Sequence, residues 1–224
     1  MKRRSAAVTA VLALLTVCIL IVAAPGQTGD PQGQARKVLD MTHLHGGLIV
    51  HLGCGDGTLT VALRAGDAYT VQGLESDPAR VARARDYVKG KDLYGPISIE
   101  QFLGTTLPYT DNLINLVVIQ DRGRVPLAEV LRVLAPGGCV CVQEKGEWVT
   151  TRKAWPDNID EWGHFLHDAS NNAVADDSVV GPPRSLQWVA PPLWLRSHET
   201  PSGVEACVSA GGRLFYIFDE GLVG

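Results

Sequence analysis

A run of apolar residues, Leu48-Ile49-Val50-His51-Leu52, leads directly into Gly53-Cys54-Gly55-Asp56-Gly57, which places three glycines at alternate positions between a strand-like and a helix-like stretch. No other segment of the 224 residues limits the fold as much. Glycine lets the backbone turn sharply and approach a ligand closely, and the helix that follows presents free N–H groups. A dinucleotide fingerprint needs its third glycine one position later, where Thr58 stands. The spacing therefore speaks against NAD and FAD, and the lysine of a Walker loop is absent.

Around this loop the chain alternates helix and strand. Ala35, Val38, Leu39 and Thr42 recur at helical spacing, 48–52 and 69–74 read as buried strands, and Asp77-Pro78 offers an N-cap and first-turn proline for a helix through Val81, Ala84 and Val88. Further strands are expected at 97–103 and 113–119, a helix at 125–134 stopped by Pro136-Gly137-Gly138, and a fifth strand at 139–142. Strands separated by helices of this length imply right-handed crossovers. The fold class is α/β, a doubly wound, Rossmann-like parallel sheet over residues 35–145 that ends after strand five.

Lys2, Arg3 and Arg4 precede an uncharged apolar run over 5–24, followed by Pro25 and Gly26. That is the order of a signal peptide, or of a membrane anchor if it is retained. The expected location is periplasmic or extracellular, or at a membrane through the N-terminal segment. With 20 Lys+Arg against 24 Asp+Glu, a net charge of -4, no basic field is available for phosphate backbones, so nucleic acid is not an expected partner. Cys139 and Cys141 alternate on one strand and leave the same face, with poor geometry for bridging each other. They read as small buried hydrophobes, and the cysteine spacing gives no zinc site.

Four ordered motifs resemble the class I S-adenosylmethionine-dependent methyltransferases. Gly53, Gly55 and Gly57 match that family's glycine motif, and Gly73-Leu-Glu75-Ser76-Asp77-Pro78 resembles the end of its second strand, where Glu75 would accept hydrogen bonds from both ribose hydroxyls. Residues 107–112 and 131–138 resemble the approach to its fourth strand and the turn before its fifth. The resemblance implies methyl transfer with S-adenosylmethionine as cofactor, held by Gly53, Cys54, Gly55, Gly57, Glu75, Ser76, Thr105 and Thr106. It assigns no catalytic residue and no acceptor. Three positions depart from the family: His51 and Asn115 replace frequent acids, and Thr105 stands where an aspartate commonly contacts adenine. His51 itself reads as a strand-end histidine hydrogen-bonded in the core. These departures make a noncatalytic Rossmann scaffold the alternative function.

All five tryptophans lie beyond Val142, and the helix-strand alternation stops there. Residues 146–185 read as a linker. Glu161, His164 and His167 recur every third residue, yet Gly163 weakens a helix and no ligand spacing is present, so two hydrogen-bonded histidines are expected and no metal. Residues 206–210 and 213–219 flank Gly211-Gly212 as a hairpin would. With Trp188 and Asp219-Glu220-Gly221, residues 186–224 resemble the opening blade of a pyrroloquinoline-quinone-type β-propeller. This implies that the remainder of a propeller lies C-terminal to the chain.

Overall fold

The computed structural model describes residues 29–179, 181, 186 and 204–218. The leader expected at 1–24, Trp188, Trp194 and Asp219-Glu220-Gly221 lie outside the described residues. No helix among the described residues is long and apolar enough to cross a membrane.

Helix α1 (Pro31–Thr42) precedes β1 (Gly47–Leu52), α2 (Thr58–Leu63), β2 (Tyr69–Glu75), α3 (Pro78–Lys89), β3 (Ile97–Gln101), β4 (Ile114–Ile119), α4 (Leu127–Val133), β5 (Leu134–Glu144) and β6 (Glu147–Arg152). The sheet order is β3-β2-β1-β4-β5-β6, and the five leading strands run parallel. The chain winds outward from β1 to β3 and returns to β4 beside β1. The carboxyl ends of β1 and β4 therefore flank the topological switch point, where open α/β sheets bind ligands.

Both sheet faces are covered, which is why the strands read as continuous apolar runs. Ile49, Val71, Ile99 and Val118 pack with α1, α2 and α3, while Val50, Leu52, Val117 and Ile119 pack with Val130 and Val133 of α4. Helix α3 starts as its sequence signals: the Asp77 side chain accepts from Ala79 N at 2.7 Å and Arg80 N at 3.4 Å, ahead of Pro78. Cys54, Cys139 and Cys141 are buried free thiols.

The sheet does not end after strand five. Strand β6 pairs antiparallel with β5 through a tight turn at Lys145 and Gly146, whose φ values of 49° and 87° suit a two-residue hairpin. Its inward side chains explain the pairing: Trp148 enters the core, and Thr150 meets Cys141 Sγ at 3.2 Å. Residues 147–152, expected in the linker, thus belong to the sheet. Helix α4 is shorter than expected and stops before Pro136 is reached. Leu134 turns extended to pair with Ile114, and a register shift between Ile114 and Leu116 absorbs Pro136 and Gly137.

Beyond the sheet, β7 (Val204–Ala210) and β8 (Arg213–Phe218) form the expected hairpin, with left-handed Gly211 and Gly212 at φ 56° and 71°. It is tied to the preceding segment by Ser209 N donating to Trp162 O at 2.8 Å and Trp162 N donating to Ser209 Oγ at 2.9 Å. His164 and His167 face each other in a short antiparallel bridge, and His167 Nε2 meets Asp160 Oδ2 at 2.7 Å. His164 Nδ1 accepts from Leu166 N at 3.4 Å, so both imidazoles have a hydrogen-bond partner, as expected.

Candidate functional site

The three loop glycines all adopt left-handed backbone, with φ of 70° at Gly53, 59° at Gly55 and 83° at Gly57. Gly53 is constrained a second time by space: a Cβ there would lie 2.6 Å from both Cβ and N of Asp121. The loop is thus pressed against the chain leaving β4. It is also tied to β2, since Gly53 N and Cys54 N both donate to Leu74 O, at 2.8 and 3.2 Å.

Glu75 completes this arrangement. Only 4% exposed at the end of β2, its Oε2 accepts from Gly55 N at 2.8 Å, while Oε1 accepts from Ser76 N at 2.9 Å and Asp77 N at 3.1 Å. Charge-assisted bonds of this kind are the strong ones. Glu75 is accordingly no solvated carboxylate at a helix start; it clamps the glycine loop to the second strand. The Ser76 hydroxyl, 3.4 Å from Oε1, is a fourth donor, so of the carboxylate's about four lone-pair sites it is Oε2, with the single Gly55 donor, that keeps acceptor capacity.

A cleft of about 280 Å³ opens at the carboxyl ends of β1, β2 and β4. Gly53 and Ser76 line one side, Phe102 and Leu103 form an apolar wall, and Asp121 and Arg122 stand at the end of β4. Glu75 stands between the lining residues Leu74 and Ser76, with Gly55 tied to it, so this clamp holds the shape of the cleft wall. Cys54 turns its side chain into the core, where burial, followed by the charge of Glu75, pushes its thiol up to about 12. Only its backbone is available to a ligand.

Thr105 and Thr106 are exposed and, like Gly55, Gly57 and Glu75, are not part of the cleft lining, which Gly104 reaches beside them. Strand β3 ends at Gln101, two residues before the expected end, and the short loop that follows carries both threonines out before Leu107 is buried again. Leu107 N donates to Glu129 Oε1 at 2.7 Å, anchoring that return to α4; the neighbouring Arg132 guanidinium holds the Glu129 carboxyl below the usual carboxylate range. Asp121, Arg122 and Phe102 were not singled out in the sequence. Their one signal is position, directly beyond β4 and β3 at the switch point.

The other departures separate cleanly. Asn115 sits at the amino end of β4, where its Oδ1 accepts from Leu48 N at 2.9 Å, at the opposite edge of the sheet from the cleft. His51 is 0% exposed, with Nδ1 2.8 Å from Thr60 Oγ1 and Nε2 3.1 Å from Gln120 Oε1. Burial lowers its pKa from 6.5 to about 4, an effect partly opposed by the Gln120 bond. It is a core histidine, neutral near pH 7.

Because the folded pKa lies below the unfolded one, the unfolded chain takes up a proton that the fold refuses. The associated stability is fully present above about pH 6.5 and is lost as pH falls toward about 4, by about 3 kcal/mol at the lower limit. Urea unfolding at about pH 7 and about pH 4.5 should show most of this loss in the unmodified chain. The same loss in His51→Gln would contradict it.

Residues 49–138 match the family model described as a methyltransferase domain. This segment is a methyltransferase domain. A demethylmenaquinone methyltransferase of Lactobacillus johnsonii is 29% identical over 165 residues, covering 62% of this chain and 67% of that protein. A Methanococcus maripaludis structure described as an S-adenosylmethionine-dependent methyltransferase is 21% identical, with a TM-score of 0.45 over 50% of this chain and 53% of that one. The geranyl diphosphate C-methyltransferase of Streptomyces coelicolor, solved with Mg2+, geranyl diphosphate and S-adenosyl-L-homocysteine, is 18% identical, with a TM-score of 0.45 over 49% and 44%. The chain thus spans about half the length of these solved structures. The cofactor of the methyltransferase domain is S-adenosylmethionine.

Proposed function

We propose that the chain transfers the methyl group of S-adenosylmethionine to an acceptor at the carboxyl edge of the sheet, using the switch-point cleft to hold the cofactor. The observation that carries this reading is the Glu75 clamp, which fixes a buried anion and a left-handed glycine loop together at the end of β2. The residues present suit the group: the loop admits close backbone approach, Glu75 keeps acceptor capacity for a diol, and Phe102 and Leu103 offer an apolar wall for a base. Asp121 sets an anion beside the Gly53 turn, with Arg122 and Arg124 in the same lining. Gly53, Gly55, Gly57, Glu75 and Ser76 are the residues assigned to it.

When bound, S-adenosylmethionine supplies an electrophilic methyl on a sulfonium. The chain's own contribution is alignment: a rigid loop, a fixed anion and a walled cleft hold a donor in one pose, which is where most of the advantage of an intramolecular reaction arises. His51 takes no part in proton transfer to the acceptor, being neutral and sealed from solvent. Titration of the full-length chain with S-adenosylmethionine tests the reading. A noncatalytic scaffold would instead show binding without methyl transfer to any offered nucleophile. A further part of the reading is that β7 and β8 open a propeller blade, supported by the glycine turn and the exposed Leu214 and Phe215 of β8.

A further inference from the structure

On the α1 face of the sheet, at the same carboxyl edge, Thr60, His51, Gln120 and Gln143 form one hydrogen-bonded row running from α2 across β1 and the end of β4 to β5. Gln120 gives its amide nitrogen to Gln143 Oε1 at 3.1 Å, which leaves its Oε1 for His51 Nε2 at 3.1 Å. His51 therefore carries its proton on Nε2 and accepts the Thr60 hydroxyl at Nδ1. All donors in the row point the same way, and such chains polarise one another. The last donor is the amide nitrogen of Gln143, in the wall of an open cleft of about 530 Å³.

Helix α1 forms the facing wall. There Gln34 Oε1 is buried and has no hydrogen-bond partner among the described residues. A buried acceptor left in that state is costly, and a ligand donor would relieve it. Charge in this cleft disfavours an anion: Lys37 Nζ is paired with Glu147 at 2.6 Å, and the Asp30 carboxylate, one oxygen of which caps Gln32 N at 3.1 Å, stands in the lining. The neutral His51 gives the row no positive charge to offer an anion. Gln120, in this lining, and Asp121, in the cofactor cleft, are consecutive at the end of β4.

We propose that this second cleft holds the methyl acceptor and selects an uncharged molecule that presents a carbonyl oxygen to Gln143 and a neighbouring N–H or O–H to Gln34, the chemistry of a carboxamide. The proposal rests on the methyltransferase reading. Its test uses the full-length chain with benzamide, benzoate and toluene as probes, followed by ligand-observed NMR titration. Benzamide should bind at least about tenfold more tightly than the other two. Gln143→Leu and Gln34→Leu should each weaken benzamide about tenfold, one hydrogen bond's worth, while S-adenosylmethionine affinity of the same samples stays unchanged. Gln34 lies on the helix outside the row, so its variant keeps the test decisive if Gln143→Leu fails to fold. Equal binding of the three probes, or benzamide affinity unchanged in the folded variants, overturns the proposal. Benzamide selectivity in a protein that binds no S-adenosylmethionine overturns instead the reading on which it rests.

Discussion

Gly53→Ala is expected to abolish S-adenosylmethionine binding and to lower the stability of the whole chain. Left-handed backbone costs a non-glycine residue about 1–2 kcal/mol, and the new Cβ would stand 2.6 Å from Asp121 N and 2.7 Å from its O, backbone atoms that cannot swing aside. Overpacking of this kind adds about 1–3 kcal/mol. The sum, about 3 kcal/mol, corresponds to a fall in Tm of about 6–12 °C for a chain of this size. Gly66→Ala is the control, since nothing lies within 4 Å of a Cβ there. Its melting temperature should stay within about 2 °C of the unmodified chain, and equal melting of the two variants would show that the loop is not wedged against β4.

Glu75→Ala should have the second large effect. The side chain accepts from the backbone of Gly55, Ser76 and Asp77, so its removal leaves the glycine loop without its tether and the bound diol without its acceptor. Hydrogen bonds to charged groups contribute roughly 1.5–3 kcal/mol, and each 1.4 kcal/mol is a factor of ten, so affinity should fall by about ten- to a hundredfold. Glu75→Gln should fall between, because its carboxamide oxygen still accepts while its NH2 faces N–H donors. Calorimetry on the folded variants gives the ranking. Unchanged affinity in Glu75→Ala would remove this residue from the site.

Much of the fold was legible because each signal had a local cause. The Asp77-Pro78 start of α3, the glycine loop and the apolar runs of β1 and β4 follow from capping, positive φ and two-sided burial. Strand β6 was hidden for an equally physical reason. Its hairpin is built from charged residues, Glu144, Lys145 and Glu147, which carry no apolar strand signal, while its pairing depends on Trp148 entering a core formed by distant strands and Thr150 meeting Cys141. In the site, Glu75 and the glycines were legible by motif. Asp121 and Phe102 were not, because they reach the cleft only through the strand order, and the outward path of Thr105 depends on where β3 stops.

The most direct measurement is calorimetric titration of the full-length, folded chain with S-adenosylmethionine. The account predicts saturable heat from one site, displaced by S-adenosyl-L-homocysteine, with the Gly53 and Glu75 variants losing it in the order given above. No detectable heat at millimolar ligand, from protein whose circular dichroism shows the α/β fold intact, would contradict it.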